Sequence, residues 1–249
     1  MNQQSRLAPA PTRYNRPERL KFRTTYGPNY DNPQYVAVKT IKGKKIQRIE
    51  LHRGCPWGHE YCYEPQLNTD YDVPEIVSTH VQILDMNPLR HSRLMEILQQ
   101  LSEKQVNGKV VYYEAVCGFD FRFMTQEIAN AIKKARFRKV RLAWDGSFKD
   151  QYKLLDALMM LLKAGYSRKE ISFFMIVNWR ISKKECDRKL DLMKVWGIKV
   201  CDCCFDAGYR WHIPEFWTED EIVEFRAKCR KHNQLVNFGI DPEEDCTQP

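Results

Sequence analysis

The residues with the most evident chemistry lie at positions 53–65, which read RGCPWGHEYCYEP. Cys55, His59 and Cys62 place thiol and imidazole side chains in the spacing Cys-x3-His-x2-Cys. A loop with such ligands can cover one face of a metal centre, and thiolates favour iron–sulfur clusters or zinc. Structural zinc usually has four ligands, often as two close pairs, and no second pair of matching spacing follows. The spacing therefore favours an iron–sulfur cluster, with zinc as the competing metal.

This segment resembles the radical S-adenosylmethionine (radical SAM) family, whose hallmark is Cys-x3-Cys-x2-Cys on the loop after the first strand of a partial barrel. Tyr61 stands directly before the last cysteine, where the family commonly has an aromatic residue. The resemblance covers roughly residues 46–245, where it includes ILDMNPL, GFDFRFMTQEIA, LAWD and FMIVN at the ends of successive predicted strands.

The resemblance implies a 4Fe–4S cluster held by Cys55, His59 and Cys62, with one iron left open for the amino and carboxylate groups of S-adenosylmethionine. In the family, the reduced cluster donates an electron to the sulfonium, and a 5′-deoxyadenosyl radical then abstracts hydrogen from the substrate. The resemblance also implies an electron donor such as flavodoxin or ferredoxin. It does not identify the substrate.

His59 departs from the family pattern, because it stands in place of the middle cysteine. Imidazole can ligate cluster iron, but it raises the reduction potential and so weakens electron donation. The sequence leaves three interpretations open. His59 is a true ligand, or the motif is altered so that the cluster is poor or absent, or another thiol completes the site. Cys117, Cys203 and Cys204 are candidates for that thiol, because they lie near the ends of predicted strands.

Polar residues near the ends of the predicted strands are the candidates for binding the cofactor. Carboxylates and amides suit ammonium groups and ribose hydroxyls, although the same residues are common in turns and helix caps. The resemblance assigns this role to Tyr61, Asp85, Asn87, Glu114, Asp145 and Asn178. Asp120 and Arg122 form either a local ion pair or a further cofactor contact, because a guanidinium suits a carboxylate.

The elements that position these residues alternate between apolar runs and amphipathic stretches. Thr125 and Ser182 are expected to cap helices. Strands alternating with helices predict parallel α/β units, in a barrel or an open doubly wound sheet, with the site at the carboxyl ends of the strands. Six units are fewer than the eight of a closed barrel, so the predicted fold is an α/β partial (β/α)6 barrel of the radical SAM type. The predicted strands lie at 47–52, 80–85, 109–115, 139–145, 171–178 and 198–206, and the predicted helices at 89–104, 125–136, 149–164, 182–196 and 218–232.

The charge distribution divides the chain into a basic N-terminal extension, residues 1–45, and a body, residues 46–249. The extension has ten Lys or Arg and two acidic residues, so its formal charge equals the +8 of the whole chain. A basic arm can hold an acidic partner such as a nucleotide or nucleic acid. Its proline-rich composition is typical of a solvated, partly disordered extension. The body is predicted to hold the partial barrel, a C-terminal helix and a tail.

The location follows from the apolar pattern and the cysteines. Runs of 18 or more apolar residues are absent from the sequence, as is the apolar core of a signal peptide. We therefore expect a cytoplasmic protein without a membrane partner, in which the nine cysteines are not a disulfide framework. The predicted function is a radical SAM enzyme. The alternative is a non-catalytic radical SAM-like protein with an impaired or absent cluster, which holds an acidic partner through the basic arm.

Overall fold

The computed structural model describes residues 34–59, 62, 64, 67–177, 179–203 and 217–239. The helices in this part of the chain are α1 (Leu94–Glu103), α2 (Gln126–Lys134), α3 (Gln151–Lys163), α4 (Lys183–Trp196) and α5 (Glu219–Phe238). Thr125, Ser182 and Thr218 each accept a hydrogen bond from the backbone three residues further on, as N-caps do. None of the described helices is both long and apolar enough to cross a bilayer.

Two main sheets and two short ladders contain the strands. One sheet has the order β1-β2-β5-β8, and the other has the order β9-β10-β11. The two short ladders are β3 with β4 and β6 with β7. β1 is antiparallel to β2, whereas the other pairs within the main sheets are parallel. The strands are β1 (Val36–Ile41), β2 (Lys44–Ile49), β3 (His52–Arg53), β4 (Thr69–Asp70), β5 (His80–Ile83), β6 (Gln105–Val106), β7 (Lys109–Val110), β8 (Tyr112–Ala115), β9 (Val140–Ala143), β10 (Ile171–Ile176) and β11 (Lys199–Cys203).

The two main sheets adjoin between β8 and β9. Isolated parallel bridges join Tyr113 to Phe137 and Phe119 to Leu142. In the described part of the chain, the parallel strands β2, β5, β8, β9, β10 and β11 therefore follow one another in chain order. This order lacks the reversal that marks a doubly wound sheet. Within the described residues the sheets do not close into a barrel.

One face of the parallel strands packs against the helices and forms the core. Ile83 of β5, Leu142 of β9 and Phe173 of β10 are almost completely buried on this face. The helices contribute apolar stripes, for example Leu98 of α1 and Leu158 of α3. Each side chain of this size stabilises the fold by about 1.5–3 kcal/mol when it is fully buried.

The opposite face of the same strands carries polar side chains, because strand residues alternate between the two faces. The register pairs Arg48 with Gln82 and Gln82 with Glu114. It also places Arg141 and Lys199 on either side of Ser172. We name the following set the polar row, with one residue from each of the parallel strands: Arg48, Gln82, Glu114, Arg141, Ser172 and Lys199.

The mixed α/β class and the order of the predicted strands and helices are confirmed, but some boundaries differ. The helix predicted at 89–104 begins at Leu94, because Pro88–Arg90 forms a 3-10 turn before it. The strand predicted at 109–115 is divided at Val111, because its first two residues pair back with β6. Strand β1 begins at Val36, within the predicted N-terminal extension.

Candidate functional site

The predicted metal-ligand loop leaves the carboxyl end of β2 and is closed at its base by the β3–β4 ladder. Nδ1 of His52 lies 2.6 Å from Oδ1 of Asp70, and Oδ2 of Asp70 accepts the backbone N–H of Ser92 at 2.9 Å. Burial alone would raise the pKa of Asp70, but the hydrogen bonds from Ser92 and His52 lower it to about 2. The ladder therefore fixes the two ends of residues 54–68.

Buried carboxylates hold the start of this loop by its backbone. The two oxygens of Asp85 accept the N–H groups of Leu51 and His52 at 2.9 and 3.0 Å. Burial raises the pKa of Asp85 well above its ordinary value. Oε1 of Glu64 accepts the N–H of Gly54 at 2.9 Å. The carboxyl group of Asp85, predicted to bind a cofactor, thus organises the loop itself.

Gly54 allows the two ends of the loop to approach closely. Its φ is +117°, and a Cβ at this position would lie 1.9 Å from the carbonyl oxygen of Leu67. A side chain does not fit without moving backbone, so glycine is required directly before Cys55.

Cys55 lies against Asn87, which follows β5. Burial raises the pKa of the Cys55 thiol, while hydrogen bonds from the Trp57 backbone and the Asn87 side chain act in the opposite direction. Asn87 is only 1% exposed, and its Oδ1 has no hydrogen-bond partner in the described part of the chain. Leaving a buried acceptor unpaired costs about 1–3 kcal/mol. This oxygen is therefore available to a donor beside Cys55.

Asp120 joins the loop after β2 to the segment after β8. Its Oδ2 accepts from the indole N–H of Trp57 at 2.7 Å and from Nδ2 of Asn87 at 3.4 Å. Arg122 donates to both carboxylate oxygens, at 2.7 and 2.9 Å. The Arg122 guanidinium also lies 3.8 Å from the centre of the Trp57 ring. The strand ends of β2, β5 and β8 thus meet at one carboxylate, and the predicted Asp120–Arg122 ion pair is present.

His59 brings the end of β9 into the same site. Burial lowers the pKa of His59. The negative charges of Asp145 and Asp120 act to raise this pKa, whereas the positive charge of Arg122 lowers it further. The imidazole is therefore neutral near pH 7, which is the form that ligates a metal. Asp145 follows β9, at the strand end where the sequence places it.

Cys62 is the third predicted ligand. Its N–H donates to the carbonyl of His59 at 2.9 Å, and its Sγ accepts the N–H of Glu64 at 3.4 Å. Hydrogen bonds to sulfur tune iron–sulfur clusters. Among the described residues, however, no three His, Cys, Asp or Glu side chains are grouped closely enough to hold a metal ion. The donor set fits a cluster in its chemistry and location, but the three side chains do not converge.

The other predicted residues lie elsewhere or outside the described residues. Glu114 lies within β8 on the polar row, 2.5 Å from Arg141 and 3.3 Å from Lys139. Burial would raise the pKa of Glu114, but Arg141 and Lys139 together lower it. Glu114 is therefore engaged in ion pairs with Arg141 and Lys139. Tyr61 and Asn178 lie outside the described residues.

The candidates for a further thiol ligand are half-buried. Sγ of Cys117 donates to the carbonyl of Leu84 at 3.6 Å, after the end of β8. Sγ of Cys203, the last residue of β11, lies 3.6 Å from the carbonyl of Cys201. Neither thiol forms a three-residue metal group with described neighbours. Cys204 lies outside the described residues.

Sequence reasoning missed Lys189, a fully buried residue of α4. Its Nζ donates to the carbonyls of Trp144 and Gly146 at 3.3 and 2.6 Å. These carbonyls flank Asp145, so Lys189 fixes the turn that presents this carboxylate. The sequence carried a signal, because Lys189 falls in the apolar stripe of the helix. That stripe also contains Cys186, Leu190 and Met193.

The loop after β2 therefore carries two thiols and a neutral imidazole that do not converge, and an unpaired amide oxygen lies beside one of the thiols at the end of β5. No protein-family model matches the chain, and no curated protein matches it.

Proposed function

We propose that the protein is a radical SAM enzyme in which Cys55, His59 and Cys62 hold a 4Fe–4S cluster beside S-adenosylmethionine. One observation carries this proposal: the buried Oδ1 of Asn87 has no donor among the described residues, although it lies beside Cys55. An amino group is a donor of the kind that this oxygen requires. The donor set and its place after the first parallel strand agree with the same chemistry.

We also propose that the parallel strands curl into a partial (β/α)6 barrel. Their order along the chain supports this arrangement, because a barrel adds each strand beside the preceding one. The separation of an apolar, helix-covered face from a polar face supports it further. Curvature of the sheet would enclose the polar row.

The residues of the site have distinct roles in this proposal. When bound, the cluster would supply an electron to the sulfonium, and an electron donor such as flavodoxin or ferredoxin is the proposed partner. The buried oxygen of Asn87 accepts a hydrogen bond from the amino group. Asp120 holds Arg122 and Trp57 in place through their hydrogen bonds to its carboxylate. His59 offers an unprotonated nitrogen because burial disfavours the imidazolium.

Anaerobic reconstitution with iron and sulfide tests the proposal. We expect a brown wild-type protein with about four iron atoms per chain. Cys55→Ser, Cys62→Ser and His59→Ala are each expected to lose most of this iron. His80→Ala is the matched control for His59→Ala, because His80 is exposed at the start of β5. A colourless wild-type protein after reconstitution would overturn the enzyme proposal, and full iron in His59→Ala would overturn the role of His59.

A second candidate function is a radical SAM-like binding protein without a competent cluster. The observation that favours it is the failure of the described Cys55, His59 and Cys62 side chains to converge as a metal group. Such a protein would hold an acidic partner through the basic residues 1–45. His59→Cys separates the two candidates. If this variant gains a cluster that the wild type lacks, the second candidate is supported.

A further inference from the structure

We propose that the β1–β2 hairpin binds the phosphate backbone of double-stranded DNA. The turn of this hairpin lies at the amino end of β2, whereas the loop that carries Cys55 follows the carboxyl end of the same strand. The hairpin surface is therefore separate from the candidate site and needs no bound cluster.

The hairpin carries positive charge without acidic residues. Between Val36 and Ile49 the sequence has neither Asp nor Glu, and its cations are Lys39, Lys42, Lys44, Lys45 and Arg48. No carboxylate in the described part of the chain forms a salt bridge with these lysines. A solvated surface usually mixes both signs of charge, because like charges repel across a strand pair. Uniform positive charge is instead typical of a surface that meets a polyanion.

Three exposed lysines gather at the turn of the hairpin. Lys42 and Gly43 are the turn residues, and both have positive φ, as a two-residue hairpin turn requires. The register pairs Lys44 with Ile41 directly beside the turn. Because successive strand residues point to opposite faces, Lys44 and Lys45 extend from the two sides of the ribbon.

The turn projects beyond the neighbouring strand. The ladder between β2 and β5 begins at Gln47, so Lys44, Lys45 and Ile46 precede it. At about 3.4 Å per residue, the turn extends roughly 10 Å past this ladder. The hydroxyl of Ser78 donates to the carbonyl of Lys45 at 2.9 Å and so holds the base of the projecting ribbon.

The shape and charge of the ribbon match the major groove of a DNA duplex. This groove is about 12 Å wide and admits a two-stranded β-ribbon. Both walls of the groove carry phosphates, which suits a ribbon with Lys44 and Lys45 on opposite faces. The major groove of double-stranded RNA is too narrow for such an element. The geometry therefore favours DNA.

A second basic group continues from the hairpin along the amino ends of the parallel strands. The guanidinium of Arg138 lies 3.3 Å from the centre of the Tyr112 ring, and this ring lies 6.3 Å from the ring of His80. Arg138 is exposed and forms no salt bridge with a described residue. Because β2, β5 and β8 are neighbours about 4.8 Å apart, the same DNA backbone can contact Lys45 and Arg138. An extended polyanion is held by several separate cations and needs no single pocket.

Acidic residues of the adjoining elements do not neutralise this surface. Glu114 of β8 is paired within the polar row. Glu103, the last residue of α1, accepts a hydrogen bond from Gln99 of the same helix. The carbonyl of Glu75 accepts from the buried side chain of Gln47, which places Glu75 beside the ladder and behind the projecting turn.

Fluorescence anisotropy with a short labelled DNA duplex of mixed sequence, at several salt concentrations, tests the proposal. The test variant combines Lys42→Gln, Lys44→Gln and Lys45→Gln. We expect it to bind about 10- to 100-fold more weakly than the wild type. We also expect the slope of log affinity against log salt to fall by about 2–3, because each lost phosphate contact contributes about 0.9 to this slope.

The matched control removes the same charge from the other end of the strands. It combines Lys149→Gln, Lys153→Gln and Lys184→Gln, three exposed residues near the starts of α3 and α4. We expect its affinity to stay within about 2-fold of the wild type, because these lysines contact no phosphate in the proposal. Thermal unfolding of both triple variants establishes that the fold is retained.

Several outcomes would overturn the proposal. The wild type would fail to bind the duplex, or both triple variants would weaken binding equally, which would assign the affinity to net charge alone. Wild-type affinity in the hairpin variant would assign binding to the basic residues before the hairpin, which every variant retains. Tighter binding of a single strand of the same length would overturn the groove assignment, and equally tight binding of polyglutamate would overturn the choice of DNA.

Iron content separates this proposal from the enzyme proposal. A colourless wild type that binds the duplex through the hairpin would refute only the enzyme proposal. A brown, reconstituted wild type that does not bind the duplex would refute only the DNA-binding proposal.

Discussion

Two buried polar side chains show how single residues shape the site. The amide oxygen of Asn87 has no described donor, whereas the ammonium of Lys189 meets the carbonyls of Trp144 and Gly146. The contrast separates their roles. A buried group whose partners are present supports the fold, and the buried oxygen of Asn87 is available to the amino group in the proposed function.

Lys189→Met tests the supporting role at the residue scale. Methionine keeps much of the apolar stem but leaves two carbonyls without their donor, so we expect a loss of about 1–2 kcal/mol in the free energy of unfolding at pH 7. Lys153→Met, on the exposed side of α3, is expected to change stability by less than about 0.5 kcal/mol. Urea unfolding measures both.

The pH dependence of the same variant gives a second readout. Burial lowers the pKa of Lys189 below its ordinary 10.5. The unfolded chain therefore binds more protons than the folded chain between the two pKa values, and wild-type stability rises as pH increases toward 10.5. The stability of Lys189→Met does not rise in this way, so the difference in free energy of unfolding between the wild type and this variant should widen as pH increases. A stability difference that narrows as pH increases would contradict the lowered pKa of Lys189.

At the scale of elements, the β3–β4 ladder depends on the charge of Asp70. The pKa of Asp70 is lowered from 3.8 to about 2 in the folded chain. A carboxyl with a depressed pKa stabilises the fold above its unfolded pKa and loses this effect as pH falls through the folded pKa. We therefore expect Asp70→Asn to destabilise the protein by about 1–2 kcal/mol at pH 7, discounted because the side chain is partly exposed.

We expect the difference in free energy of unfolding between the wild type and Asp70→Asn to shrink as the pH falls from about 4 to about 2. Asp72→Asn is the matched control, because the side chain of Asp72 is 83% exposed two residues further along. Urea unfolding at several pH values measures both variants. A difference that does not change with pH would assign the loss to packing instead of charge.

The elements were largely predictable because their signals are local. Strand alternation and caps such as Thr125 and Ser182 depend on a few adjacent residues. The hairpin that divides the strand predicted at 109–115 also has a local signal in the sequence. Asn107 and Gly108 both have positive φ, as a two-residue hairpin turn requires.

The site was predictable only in part. Spacing located Cys55, and strand ends located Asn87 and Asp120, since parallel strands bring their carboxyl ends together. The polar row was not predictable, because Arg48 and Lys199 share a face only once the register of every intervening strand is known. The ion pair of Glu114 with Arg141 depends on the same register.

At the scale of the whole molecule, the junction between β8 and β9 joins the two main sheets. Backbone hydrogen bonds run from Phe119 N–H to Arg141 at 2.7 Å and from Ala143 N–H to Phe119 at 3.0 Å. The polar row crosses the same junction through the ion pair of Glu114 with Arg141. The proposed barrel therefore needs this junction intact.

Gly118→Ala tests the junction. The φ of Gly118 is +81°, and a Cβ would lie 2.8 Å from the Phe174 ring and 3.0 Å from the Arg141 carbonyl oxygen, both in the second sheet. Gly108→Ala is the matched control, because Gly108 has a φ of +72° with nothing within 4 Å of the added Cβ. The control bears only the backbone strain, about 1 kcal/mol, whereas Gly118→Ala also bears the clash and is expected to lose about 2–4 kcal/mol.

Urea unfolding followed by circular dichroism and by tryptophan fluorescence measures the difference. If the sheets form one cooperative unit, the two probes give the same transition in the wild type and in the control. Because Gly118 contacts both sheets, its substitution should lower the midpoint for both probes together. Equal losses for Gly118→Ala and Gly108→Ala would show that the contact with Phe174 and Arg141 does not hold the sheets together. The proposed barrel would then lack evidence that the two sheets are held together at this junction.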